Sequence, residues 1–327
     1  MAAARRPMAI HGRRIALSFS GSGHLHAYQL GAAVHLLNSG AGHDWASRIT
    51  HFAGASGGAI AATVCALLPR ERIAKFAEQV SLKGYGFNGM SEALAGSGAF
   101  AITDEQVRRV SNDEEQSLFL SATHCRTGRN ALFSRFANAA DLQKALLASC
   151  AIPASFHPFD FMRRQPPTYP EGNGVIVDPS CEHDGGELAA RELEAKGGLP
   201  FSPHGEAYVD GGISNTAPLL HELSTSLAVG AGELAAVGST ITCSPISGPC
   251  GALSPGSHFH LCPLDGGSGK LPWVAPKLAG MRCYLSVENL RAFQVSMGAR
   301  EHTLRKWYER GGEDARRFTA EYEPPLV

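Results

Sequence analysis

The sequence predicts an α/β fold: a doubly wound, mostly parallel sheet with flanking helices, followed by a C-terminal helical tail. Three observations carry this reading. An apolar run, a glycine-rich turn and a helical pattern follow one another twice, within 13–40 and again within 48–68. Strand-like and helix-like stretches keep alternating to about residue 225, the order that parallel βαβ units require. From 283 to 322 the apolar residues instead recur at helical spacing.

Taken in order, "RRIALSFSGSG" (13–23) reads as a buried strand ending in a glycine-rich turn. "AYQLGAAVHLLNSG" (27–40) places Leu30, Val34 and Leu37 on one helical face, with Gly40 as a stop. "SRITHFAGAS" supplies a second strand and turn, and "GGAIAATVCALL" a second helix. Residues 71–115 read as mainly helical. "SLFLSATHC" (117–125) reads as a strand and "NAADLQKALLASCAIP" (138–153) as a helix halted near Pro153. Residues 160–206, rich in Pro, Gly and mixed charge, read as a long excursion. "EAYVDGG" (206–212) is a strand running into a turn. Residues 230–280 carry Gly, Pro and Ser in short pieces and yield no assigned element. The tail is expected to form two amphipathic helices broken at Gly311-Gly312. The domain expectation is one α/β unit over 14–225, with 226–327 as an extension packed on it.

The chain has 327 residues, 44% hydrophobic and 18% charged, with formal net charge −1. Such a balance draws it neither to nucleic acid nor, globally, to anionic membranes. The eight cysteines, at 65, 125, 150, 181, 243, 250, 262 and 283, include no CxxC pair. They read as free thiols of a reducing compartment, and no metal-ligand spacing is present, so neither metal nor cofactor is expected. "MAAARRPMAIHGRR" is basic but lacks the apolar core of a secretory signal. No run approaches the roughly 18 apolar residues of a membrane span. The expectation is a cytoplasmic protein, at most peripheral to a membrane surface.

"HFAGASGGAIAATVCALL" (51–68) places Ser56 in the pattern G-x-S-x-G, between Gly54 and Gly58. The string alone is common. Its context is a strand, a turn of small residues and a helix, the arrangement that exposes a nucleophilic serine on a strained elbow. Side chains at 54 and 58 would collide across so tight a turn. A serine attacking an acyl carbon needs donors for the developing oxyanion. "SGSGHLH" (20–26) offers the backbone amides of Gly21, Ser22 and Gly23 at the start of another helix. A phosphate loop is the competing use of these glycines, but the P-loop lysine is missing, and His26 replaces the last glycine of GxGxxG.

The serine also needs a base. With 14 histidines in the chain, a Ser-His-Asp triad using His258, His260 or His302 stays open. Three DGG strings occur, at Asp184, Asp210 and Asp265. Only Asp210, followed by Gly211 and Gly212, ends an apolar strand. The other two read as ordinary Asp-Gly turns.

The glycine-rich turn, GASGG and DGG, in that order, resemble the motifs of the patatin-like phospholipase family. "SATHCRTGRNALFSRF" (121–136) is similar to that family's strand–turn–strand segment, "ALLASCAIPASFHPF" (145–159) to its helix and proline turn, and "DGGISNTAPL" to its aspartate motif. The turn "LSFSGSGHLHAYQLG" and the tail "YERGGEDARRF" look closest to the adiponutrin-like branch. The resemblance implies a catalytic domain over 14–225 and a Ser-Asp dyad without histidine. Ser56 would be the acylated nucleophile and Asp210 its base, and residues 21–23 would shape the oxyanion hole. It implies a glycerolipid substrate, met at a membrane or droplet surface, with no metal. His26 departs from the pattern, standing where the last turn glycine normally sits. That departure supports an alternative, a catalytically weak protein that binds lipid or a partner. "SFHPFDFMRR" (155–164) clusters Phe156, Phe159, Phe161 and Met162 beside Arg163 and Arg164. These rings belong either to a core or to a segment that dips into a lipid interface.

Overall fold

Both β1 (Arg14–Phe19) and β2 (Ile49–Ala55) are buried almost throughout, as parallel strands covered on two faces must be. The structure, a computed structural model, describes residues 14–38, 45–84, 94, 100–112, 116–125, 128–152, 168–169, 175–177, 206–226, 237–254, 257–264, 281, 283–284 and 286–322. The remaining strands are β3 (Ser117–His124), β4 (Asn130–Phe133), β5 (Thr168–Tyr169), β6 (Val175–Val177), β7 (Glu206–Asp210), β8 (Val237–Cys243), β9 (Gly251–Ser254) and β10 (His258–Leu261). They form one sheet in the order β5-β7-β3-β2-β1-β8-β10-β9, with β4 on β3 and β6 on β4. The five central strands, β3-β2-β1-β8-β10, are parallel. Every pair flanking them is antiparallel.

The helices are α1 (His26–Asn38), α2 (Trp45–Arg48), α3 (Gly57–Leu67), α4 (Arg70–Gln79), α5 (Asp104–Ser111), α6 (Ala139–Ser149), α7 (Leu220–Ser226), α8 (Val287–Met297) and α9 (Glu301–Glu321). Their starts are written locally: Thr103 and Gln106 form a capping box on α5, Asn138 caps α6 and Ser286 caps α8. Strand alternation divides the core in two. Leu17, Phe19, Phe52, Leu118, Leu120, Ile241 and Phe259 face α1, α3 and α9. On the other side Ala16, Ala53 and Phe119 face Leu220 and Leu223 of α7.

Four expectations need correction. Residues 237–243, assigned no element from sequence, form β8, the direct neighbour of β1. The DGG strand β7 runs antiparallel to β3, so Asp210 does not end a strand parallel to the others. In the tail, Gly311-Gly312 interrupts nothing: α9 runs through both, and the chain breaks at Gly298 (φ +155°) instead. A side chain at Gly311 would strike the Tyr28 carbonyl, and one at Gly31 the Tyr308 carbonyl. The two glycines let α1 and α9 cross with backbones in contact. Finally, Cys250 and Cys262 are joined in a disulfide, whereas cysteines 65, 125, 150, 243 and 283 are free; Cys181 lies outside the described residues. Most of 160–206 is also outside them, but β5 and β6 from that stretch extend the sheet edge.

Candidate active site

The ends of β1 and β2 deliver two turns to the same edge of the sheet. Ser56, between β2 and α3, adopts φ 54°, ψ −127° and is the sole non-glycine residue with positive φ among the described residues. Holding a serine there costs on the order of 1–3 kcal/mol, so the surroundings must over-determine it. They do. A side chain at Gly54 would meet the Gly58 backbone, and one at Gly58 the Phe19 and Ser20 carbonyls. The end of α6 grips the elbow from the side. Ser149 Oγ accepts the Ser56 N–H at 3.1 Å and donates to the Ser121 carbonyl at 2.6 Å. Cys150 Sγ donates to the Ser56 carbonyl at 3.2 Å.

The same helix end fixes Asp210. The Asp210 N–H donates to the Ala151 carbonyl (3.1 Å) and the Gly211 N–H to the Ser149 carbonyl (3.2 Å). Asp210 pairs with Ala122 on β3, and Ser121, just before it, pairs with Ala55 on β2. Elbow and aspartate therefore lie level across the sheet, two strand spacings or roughly 10 Å apart at the backbone. Asp210 Oδ1 accepts the Gly212 N–H at 2.7 Å, while Oδ2 has no hydrogen-bond partner among the described residues. Burial pushes the Asp210 pKa up to about 6, although the Ser56 side chain and the Gly212 amide both favour the charged form. A carboxyl so placed is a base poised near neutrality.

The glycine-rich turn lies against the elbow: a side chain at Gly57 would strike the Gly23 backbone. Gly21 is not a free donor, since its N–H already serves Thr216, through the carbonyl (2.9 Å) and Oγ1 (3.0 Å). The amides of Ser22 and Gly23 make no such bond among the described residues. Gln29 of α1 holds the turn from beneath. Its Nε2 donates to the Ser20 carbonyl (2.7 Å) and its Oε1 accepts from Ser22 Oγ (3.0 Å). His26 is fully buried in an ordinary right-handed helical conformation, so its position never required glycine. Its Nδ1 bonds the Gly23 carbonyl at 2.9 Å, and burial lowers its pKa to about 4, which keeps it neutral. At His26 the departure from the glycine pattern thus places a side chain that bonds the turn through the Gly23 carbonyl.

Sequence reasoning brought Ser56, Asp210 and the 21–23 turn to one place but missed Gln29, Ser149, Cys150 and Thr216. Residues 149–150 lay in a helix noted only for its ending, and no string marks a serine that bonds across 93 positions. The rival bases lie elsewhere. His258 and His260 sit on β10, with β8 and β1 between them and β2, and bond to Thr242; His302 is exposed beside Thr303. Asp184, Asp265 and the 155–164 segment lie outside the described residues. Among the described residues no three metal-ligating side chains cluster.

A strained serine and a buried carboxyl at one edge of the sheet suit acyl transfer. A family model for patatin-like phospholipases matches residues 17–223. The chain belongs to the patatin-like phospholipase family. This patatin-like chain is also similar to human patatin-like phospholipase domain-containing protein 4, 27% identical over 319 residues, covering 94% of this chain and 96% of that protein. Among solved structures it matches VipD from Legionella pneumophila, at 10% identity and a TM-score of 0.41, over 97% of this chain and 72% of that one. Membership of the patatin-like family supports a lipid hydrolase. No helix among the described residues is long and apolar enough to cross a membrane.

Proposed function

We propose that this patatin-like protein hydrolyses acyl esters of glycerolipids through a Ser56–Asp210 dyad. The observation that carries the reading is the pairing of the strained Ser56 with the buried Asp210 carboxyl, whose pKa of about 6 leaves it ionised at neutral pH. Asp210 takes the Ser56 hydroxyl proton as Oγ bonds to the ester carbonyl carbon. The tetrahedral oxyanion is met by the Ser22 and Gly23 amides at the end of the turn, with the N-terminus of α3 behind it. Collapse breaks the ester C–O bond, and Asp210 returns its proton to the departing alcohol or lysolipid. Water then loses a proton to Asp210 and attacks the acyl-enzyme, releasing fatty acid and restoring Ser56.

Family membership supports a lipid as substrate; a glycerolipid ester, and contact with a membrane or droplet surface, belong to the same proposal. So does assignment to the adiponutrin-like branch, which rests on the turn and tail strings. The test is labelling of purified protein with a fluorophosphonate, beside lipid hydrolysis on a mixed extract. Wild type should label and release fatty acid, and Ser56→Ala should do neither while melting normally. A Ser56→Ala protein that still hydrolyses esters would overturn the assignment.

A further inference from the structure

The helix that closes on the catalytic turn wears an unpartnered apolar face. Val287, Leu290, Phe293 and Met297 of α8 are 59%, 60%, 62% and 61% exposed. At about 100° per residue they share one arc of roughly 120°. A soluble helix normally turns such a stripe inward, and α8 buries Ala292 on its opposite side. Its inner surface reaches the active site. The Ser296 carbonyl lies against Gly23, where a side chain would strike it, and accepts from or faces His24 Nδ1 at 3.2 Å. Two cations stand beside the stripe: Arg291 and Arg300 are exposed and make no ion pair among the described residues.

We infer that the outer face of α8 docks this protein on a phospholipid membrane surface. The inference rests on the proposed lipid hydrolysis and adds where the lipid is met. Four large apolar side chains suit the acyl boundary of a bilayer, and two unpaired guanidiniums suit lipid phosphates. A soluble protein partner would gain nothing from the nearness of the stripe to the turn at 21–23, whereas a lipid substrate must arrive there from a bilayer.

The test is flotation of full-length protein with vesicles of phosphatidylcholine, alone or mixed with phosphatidylserine. Wild type should float, and Leu290→Ser combined with Phe293→Ser should weaken partitioning by about tenfold or more. Arg291→Glu should weaken it chiefly on the phosphatidylserine vesicles. Both variants change exposed side chains, so melting and fluorophosphonate labelling should match wild type. Unchanged flotation of the double variant overturns the inference. So does a concentration-dependent dimer that the double variant dissolves while wild type ignores vesicles, because the stripe would then bind a second copy. The two proposals fail separately. If wild type floats through α8 yet neither labels nor hydrolyses, the dyad falls and the docking face stands. If it labels and hydrolyses but the double variant floats as well as wild type, the reverse holds.

Discussion

Two polar clusters are buried in the same sheet, and only one of them is built like a reaction centre. The first joins Ser56, Ser149, Cys150 and Asp210 at the ends of β2, α6 and β7. The second joins His221 of α7, His258 and His260 of β10, and Thr240 and Thr242 of β8. Both hold titrating groups moved far from their ordinary values by burial, Asp210 up to about 6 and each of the three histidines down to about 4. A shifted pKa therefore does not distinguish them. Strain does: the backbone of Ser56 is held at positive φ, whereas no residue of the histidine cluster has one. Each cluster holds one buried atom without a hydrogen-bond partner among the described residues, Asp210 Oδ2 and His260 Nε2, while His221 and His260 bond to Thr240 and Thr242 at 2.9 and 2.6 Å. In the first cluster that open atom belongs to a carboxylate whose charged form the Ser56 side chain favours.

The largest effect should come from Ser56→Ala. Ester hydrolysis should fall about 10³-fold or more, with the melting temperature nearly unchanged. Asp210→Asn should follow closely, read as the rate of fluorophosphonate labelling. Wild-type kcat/KM should rise with pH around a midpoint near 6, the Asp210 value. Stability carries the opposite sign. A carboxyl whose pKa is raised on folding contributes most below its unfolded value of 3.8, and that contribution is lost as pH rises through about 6. At about pH 8 the charged Asp210 costs folding on the order of 2–3 kcal/mol. Asp210→Asn should therefore melt at the same temperature or higher there. A variant both inactive and strongly destabilised at that pH would make Asp210 a structural carboxylate and erase the contrast between the clusters.

A middle effect sharpens the comparison by touching neither reacting atom. Ser149→Ala removes the acceptor for the Ser56 amide and the donor to Ser121. The elbow should keep its fold but lose its fixed geometry, lowering kcat by about 10- to 100-fold with little change in KM. The cost in stability should be about 1 kcal/mol. Equal losses in kcat and in labelling rate, with an unchanged pH midpoint, would mark positioning. A displaced midpoint would mean that Ser149 also tunes Asp210.

How much of this could be read from the string depends on whether the cause is local. GASGG between a strand and a helix is a local steric statement, and residues 51–68 sufficed to single out Ser56. DGG at a strand end singled out Asp210, although the antiparallel direction of β7 is set by pairing with β3 across 84 to 88 positions and leaves no mark in EAYVD. β8 was missed because its one apolar face, Ile241 and Cys243, alternates with the hydroxyls of Thr240 and Thr242 amid glycine and serine. That alternation has the strand period, and the surrounding turn residues masked it. Gly311-Gly312 was taken for a helix break because glycine has low helix propensity. Gly311 is needed where α1 crosses, because a side chain there would strike the Tyr28 carbonyl, a cause more than 280 positions away.

The smallest effect on activity should come from the histidine cluster, and it is the sharpest check of the comparison. Thr242 Oγ1 donates to the Phe259 carbonyl at 3.2 Å, so His260 Nδ1 is the donor in its own bond to Thr242. The Nε2 of His260 is buried with no partner. A second proton there would place a charge with nothing to accept it, with His258 as a neighbour that also disfavours it. Burial and that neighbour are why the His260 pKa falls to about 4. A histidine whose pKa is depressed on folding contributes stability above its unfolded value of 6.5 and loses it as pH falls through about 4. The loss is roughly 3 kcal/mol for His260. His260→Asn retains a donor toward Thr242 and removes the titration. At neutral pH it should melt lower than wild type, by about 1–2 kcal/mol for the volume lost. On acidification from about pH 6.5 to 4 the order should reverse, wild type falling below the variant by about 1–2 kcal/mol near pH 4. Throughout, ester hydrolysis by His260→Asn should stay within about twofold of wild type. Loss of labelling in this variant, with Asp210→Asn still reactive, would move the base from β7 to β10 and replace the dyad by a triad.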